Sequence, residues 1–89
     1  MLAWIAPDFQ GRGIVTRACR AFVSHAFGVL RLNRVEIYCG VGNARSRRVP
    51  ERLGFRQEGV LRQAEWLHDH FNDLVLYSML AAEWKEEHF

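Results

Sequence analysis

The run Val15-Thr16-Arg17-Ala18-Cys19-Arg20-Ala21-Phe22-Val23-Ser24-His25-Ala26-Phe27-Gly28-Val29-Leu30 decides the architecture. Its apolar residues fall at 15, 18, 19, 22, 23, 26, 27 and 30. That three-to-four spacing is one face of a helix and predicts four turns ending near Leu30, with Asn33 suited to the following tight turn. Working backwards, Leu2 to Ala6 is a short apolar strand stopped by Pro7-Asp8, and Gln10-Gly11-Arg12-Gly13 is a flexible turn. Working forwards, Arg34 to Cys39 alternates, with Val35, Ile37 and Cys39 on one side and Glu36 and Tyr38 on the other, which is a strand. Strand, helix and strand in this order predict a right-handed crossover between two parallel strands.

Gly40 and Gly42 end the second strand, and Asn43 to Ser46 supply capping side chains for a second helix. Pro50 lacks an N–H, so it disturbs that helix unless it sits near the first turn, and the helix is expected to be short with Gly54 as its stop. Phe55 to Leu67 and Leu74 to Leu80 are rich in branched and aromatic residues and are separated by the polar segment His68-Asp69-His70-Phe71-Asn72-Asp73. They predict an antiparallel hairpin with a polar connection. The fold class is therefore α/β in the mixed-sheet (α+β) sense, with about four strands and two helices forming one unit over residues 1–89. The Leu2–Ala6 strand is expected at an exposed edge, where pairing with a second copy would protect it.

Composition narrows the function. The chain has 89 residues, 49% hydrophobic and 25% charged, within the range of ordinary globular domains. Two cysteines without C-x-x-C spacing argue against a disulfide framework or a zinc knuckle, and the histidines show no ligand spacing, so no metal is expected. Leu74 to Ala82 is too short to span a bilayer and no basic-then-apolar leader is present, so no membrane partner and a cytoplasmic setting are expected. Eleven of the twelve positive residues are arginine. They either form a solvated face or meet phosphates. Neither a zinc finger nor an aromatic RNA-binding signature accompanies them, which weighs against nucleic acid.

Strand, Gly11-x-Gly13, then helix directs free backbone N–H groups and the positive helix end toward one point, a geometry that binds phosphate but also occurs as a plain tight turn. It is not a P-loop, because Ile14 stands where lysine is needed. Nor is it a dinucleotide fingerprint, because Thr16 occupies the third glycine position. A second element follows: Asn43-Ala44-Arg45-Ser46, then Val49-Pro50-Glu51-Arg52-Leu53-Gly54-Phe55. Gln10-Gly11-Arg12-Gly13 opening a helix, with N-x-x-S and Leu-Gly-Phe after the next strand, resembles the GNAT N-acetyltransferases. Glu58-Gly59-Val60-Leu61-Arg62-Gln63-Ala64-Glu65-Trp66 and Asp73 with Tyr77-Ser78 resemble their ribosomal-protein branch (RimJ/RimL-like).

The resemblance implies an acetyl-CoA-dependent N-acetyltransferase, or the C-terminal piece of one, acting on a protein N-terminal or small-molecule amine. It implies that Gln10, Gly11, Arg12, Gly13, Ile14 and Val15 cradle the coenzyme pyrophosphate, although Val15 departs from the family's small residue. Trp4, Ile5 and Ala6 would lie along the pantetheine arm, one of their N–H groups polarising the thioester carbonyl. Asn43 would contact the same arm, the alternative being a helix cap alone. Ser46 would protonate the departing thiolate and Glu65 would act as base toward the amine, the alternative for Glu65 being a solvated strand face. The amine attacks the thioester directly, so Cys19 and Cys39 read as small buried residues rather than nucleophiles. Tyr38 and Tyr77 read as core or strand-face residues. Compared with the family, three or so strands and two helices are expected before Met1, so the chain corresponds to the cofactor-binding half. The alternative function is a catalytically incomplete half-domain that binds CoA or oligomerises.

Overall fold

The structure is a computed structural model that describes residues 2–5 and 13–84. The elements run β1 (Leu2–Ile5), α1 (Gly13–Gly28), β2 (Arg34–Gly40), α2 (Ala44–Arg52), β3 (Arg56–Leu67) and β4 (His70–Leu80), closed by a 3₁₀ turn, Ala81–Glu83. The sheet order is β1-β2-β4-β3, with β1 parallel to β2 and the other pairs antiparallel. This is the expected mixed sheet of four strands and two helices, and β1 stands at its edge.

Alternation along β2 sets the core. Val35, Ile37 and Cys39 are buried beneath the helices, while Arg34, Glu36 and Tyr38 point to the other face. Val75, Tyr77 and Met79 of β4 continue the buried row, and Cys19, Val23 and Ala26 of α1 with Val49 and Leu53 of α2 close it. The apolar stripe of α1 is wider than its buried face: Phe22 is exposed, as is Leu30 just beyond the helix end. The helix stops at Gly28, two residues earlier than its periodicity suggests, as the Leu30 N–H turns back to the His25 carbonyl and Arg31 takes a positive φ of 58°. Asn33 is thus not the left-handed residue of that turn. At the far end of the chain, Trp84 stacks at a tilt on Phe27 and donates its Nε1–H to Ser24 Oγ, fastening the 3₁₀ turn to α1.

α2 is short as expected, nine residues, and Pro50 sits fully buried at its seventh position without breaking it. The carbonyl that loses its partner, Ser46 O, accepts instead from the Cys39 thiol at 3.4 Å. Gly54 then ends the helix at φ 81°, with Phe55 N–H on Pro50 O and Gly54 N–H on Glu51 O, the two bonds of a Schellman motif. The hairpin connection is shorter than expected. It is only His68-Asp69, both at positive φ (56° and 64°), because a two-residue turn of this hand matches the twist of the strands. His70 to Asp73 therefore belong to β4, not to a loop. The strand pairing slips between Leu61 and Glu65, where the Gln63 N–H leaves the ladder and donates to Asp73 Oδ1 at 2.8 Å.

Candidate active site

Parallel β1 and β2 end on the same side of the sheet, and each leads toward the start of a helix, α1 after β1 and α2 after β2. Ligands of α/β sheets sit outside these carboxyl ends, where unpaired helix N–H groups converge. Trp4 and Ile5 lie in register with Glu36 and Ile37. Gly13, Ile14 and Val15 form the first turn of α1, which carries no acidic residue to repel an anion. Ala6, Gln10, Gly11 and Arg12 lie outside the described residues.

At the end of β2 an open cleft of about 710 Å³ lies between the start of α2 and the β3–β4 hairpin. Asn43 and Ser46 from the start of α2 and Glu65 from β3 line it together. Asn43 is the N-cap of α2 and its Oδ1 accepts the Ser46 N–H at 3.0 Å, so the cap reading of this residue is what the geometry shows; its Nδ2 hydrogens are the part a ligand would use. Ser46 is 5% exposed. Glu65 is exposed on β3 opposite Asn72.

Tyr38, Phe71, Asn72 and Asp73 also line the cleft, and sequence reasoning singled out none of them as site residues. The signal that would have found the last three is the two-residue turn, which folds Phe71 back onto Trp66 (ring centroids 4.9 Å apart, edge to face) and sets Asn72 against Glu65.

The support beneath the cleft is polar. Arg47 Nε donates to Tyr77 Oη at 3.1 Å, Tyr77 Oη donates to Glu51 Oε2 at 3.0 Å, and Arg47 Nη1 reaches Val41 O at 3.1 Å. One buried tyrosine on β4 thereby fixes the register of α2 over the sheet, and its burial raises the Tyr77 pKa. Burial also pushes the Cys39 thiol up to about 12, so it is a thiol and not a nucleophilic thiolate at neutral pH. Among the described residues no cluster of three His, Cys, Asp or Glu side chains could hold a metal ion.

Residues 2–56 match the family described as Acetyltransferase (GNAT) domain. The chain belongs to the GNAT acetyltransferases. It is 50% identical over 84 residues to the protein named "Putative ribosomal N-acetyltransferase YdaF" of Bacillus subtilis (strain 168), covering 94% of this chain and 46% of that protein. It is 39% identical over 77 residues to the ribosomal-protein-serine acetyltransferase of Escherichia coli (strain K12), covering 86% of this chain and 43% of the relative. A crystal structure of a probable acetyltransferase superposes with a TM-score of 0.81 at 51% identity, covering 91% of this chain and 45% of the other. The GNAT chain thus spans about half the length of the relatives it matches. No described helix is long and apolar enough to cross a membrane.

Proposed function

We propose that this GNAT chain carries the coenzyme half of an N-acetyltransferase site that moves acetyl from acetyl-CoA to an amine. The observation that carries the reading is the meeting of Asn43, Ser46 and Glu65 in one cleft beyond the carboxyl end of β2. The amides of Gln10 to Val15 would hold the pyrophosphate, and Trp4 to Ala6 with Asn43 Nδ2 would hold the pantetheine arm. Acetyl-CoA supplies an activated thioester. The amine attacks its carbonyl carbon, a C–N bond forms, the C–S bond breaks, and the leaving thiolate takes a proton from Ser46 Oγ, which regains one from solvent, while Glu65 accepts the proton shed by the amine. Glu65 and Asp73 are the acidic side chains among the described residues that line the cleft, and no lysine or arginine lines it with them, which suits a positively charged acceptor such as a protein N-terminus or a small amine.

Self-association through the edge strand β1 and a cytoplasmic setting belong to the same proposal. A second reading, a module that binds CoA or pairs with itself without turnover, is favoured by the edge position of β1.

Calorimetric titration with acetyl-CoA, followed by CoA release across a panel of amines, tests the proposal. Saturable binding and transfer are expected, with Ser46→Ala lowering kcat roughly 10²-fold at little change in the coenzyme KM. Binding without transfer to any amine would leave the second reading, and sedimentation of the free chain then tests pairing. No binding at all sinks the transferase reading and leaves only pairing, which a clean monomer in sedimentation would sink in turn.

A further inference from the structure

We infer that Cys39 is a positioning residue for Ser46, its thiol replacing the backbone N–H that Pro50 withholds from the first turns of α2. The inference rests on the proposed role of Ser46. In an α-helix the carbonyl of residue 46 accepts the N–H of residue 50. Proline has none, so a buried acceptor is left to be satisfied from elsewhere. Cys39 Sγ lies 3.4 Å from Ser46 O, with its side chain 2% exposed at the end of β2.

The other backbone group of Ser46 is equally dependent on a side chain. Its N–H is one of the orphan donors of the helix start and is taken by Asn43 Oδ1 at 3.0 Å. Ser46 is thus held from both sides by side chains, one from the cap and one from β2. The Cys39 contact couples the serine directly to the strand whose end forms the cleft. Because burial keeps Cys39 protonated through neutral pH, the S–H donor is present under all assay conditions near pH 7.

The test is a cycle of variants in the full chain. Cys39→Val removes the donor and keeps an apolar side chain, Cys39→Ser keeps a donor, and Pro50→Ala returns the missing N–H. Cys39→Val is expected to lower kcat about fivefold, the size of one neutral hydrogen bond, with the acetyl-CoA KM unchanged. Cys39→Ser recovers most of that loss. In the Pro50→Ala background Cys39→Val has little effect. An equal loss in both backgrounds means that Cys39 only fills space, and overturns the inference.

A second readout needs no turnover. With Cys19→Ala leaving a single thiol, the infrared S–H stretch of Cys39 is expected at lower frequency in the parent chain than with Pro50→Ala. Identical bands overturn the hydrogen bond itself. A shifted band together with a Ser46→Ala variant of unchanged kcat overturns the positioning role through the failure of the Ser46 reading, leaving the hydrogen bond as a feature of the fold.

Discussion

On the helix-bearing face of the sheet, Val35, Ile37 and Cys39 of β2 lie beside Val75, Tyr77 and Met79 of β4, all at 6% exposure or less. On the opposite face of the same strands, Glu36 accepts from Tyr38 Oη at 2.6 Å and from Arg34 Nε at 2.8 Å. Beside them Ser78 donates to Glu58, whose carboxylate also lies 3.6 Å from Arg34 Nη1. One face is held by apolar burial under two helices, the other by a ladder of charge-assisted hydrogen bonds across β2, β4 and β3. The lesson is that strand alternation assigns side chains to faces but leaves open how each face is stabilised. An apolar side deprived of its cover loses its driving force, whereas a satisfied carboxylate can stand half-buried with no helix above it.

The sharpest way to break this comparison is to remove apolar bulk from the helix-bearing face where the helices cover it, at Ile37, and where they do not, at Val60 opposite Val75. Ile37→Ala deletes a fully buried side chain and is expected to cost about 2–5 kcal/mol, a large part of the stability of a small domain. Val60→Ser, at a position 50% exposed on β3, is expected to stay within about 0.5 kcal/mol. Urea unfolding followed by circular dichroism gives both values. A comparable loss at Val60 would mean that β3 is covered in solution, as by a second copy of the chain.

Much of the covered face was legible in the sequence because its signals are local. The alternation of Arg34 to Cys39 and the Gly54 stop depend on neighbours within a few residues, and both stand in the structure. Periodicity marks α1 as a helix but not how much of its apolar arc meets the sheet, and Phe22 faces out. How α2 accommodates Pro50 is not legible locally, because the group that satisfies the freed carbonyl is a thiol on another element. The hairpin turn was misplaced because His68 and Asp69 adopt positive φ without glycine to announce it. For the candidate site, motif spacing named Asn43, Ser46 and Glu65, while Phe71, Asn72 and Asp73 reach the cleft only through that turn.

A middle-sized effect separates the two ends of α2, the helix that carries the cleft. Asn43→Ala removes the acceptor of the Ser46 N–H and is expected to cost about 1 kcal/mol. Gly54→Ala forces a side chain into φ 81°, where no heavy atom lies near its Cβ, so conformational strain alone sets a cost of about 1–2 kcal/mol. The two losses are similar in thermal melts, but only Asn43→Ala is expected to weaken acetyl-CoA binding as well. Equal coenzyme affinities for the two variants would reduce Asn43 to a cap.

The smallest effect probes the polar face through pH. The Tyr38 hydroxyl is the main group holding the Glu36 carboxyl below its ordinary value of 4.5; burial opposes it and Arg34 assists. A carboxylate depressed in the folded state adds stability that is fully present above the unfolded value and is lost as pH falls through the folded one. Glu36→Gln is therefore expected to cost the same at pH 7 and pH 6, and progressively less below about pH 4.5. The gain is modest because Arg34 is 29% exposed and solvent screens its part of the pair. Tyr38 is shifted the other way, raised above 10 chiefly by its bond to Glu36, so its share of the stability is present below pH 10 and fades above it. Melts of the parent and Glu36→Gln chains from pH 3 to 7 would show the gap closing at the acidic end. A gap of constant width would mean that Glu36 acts by shape and not by charge, and the contrast between the two faces would then lie in packing alone.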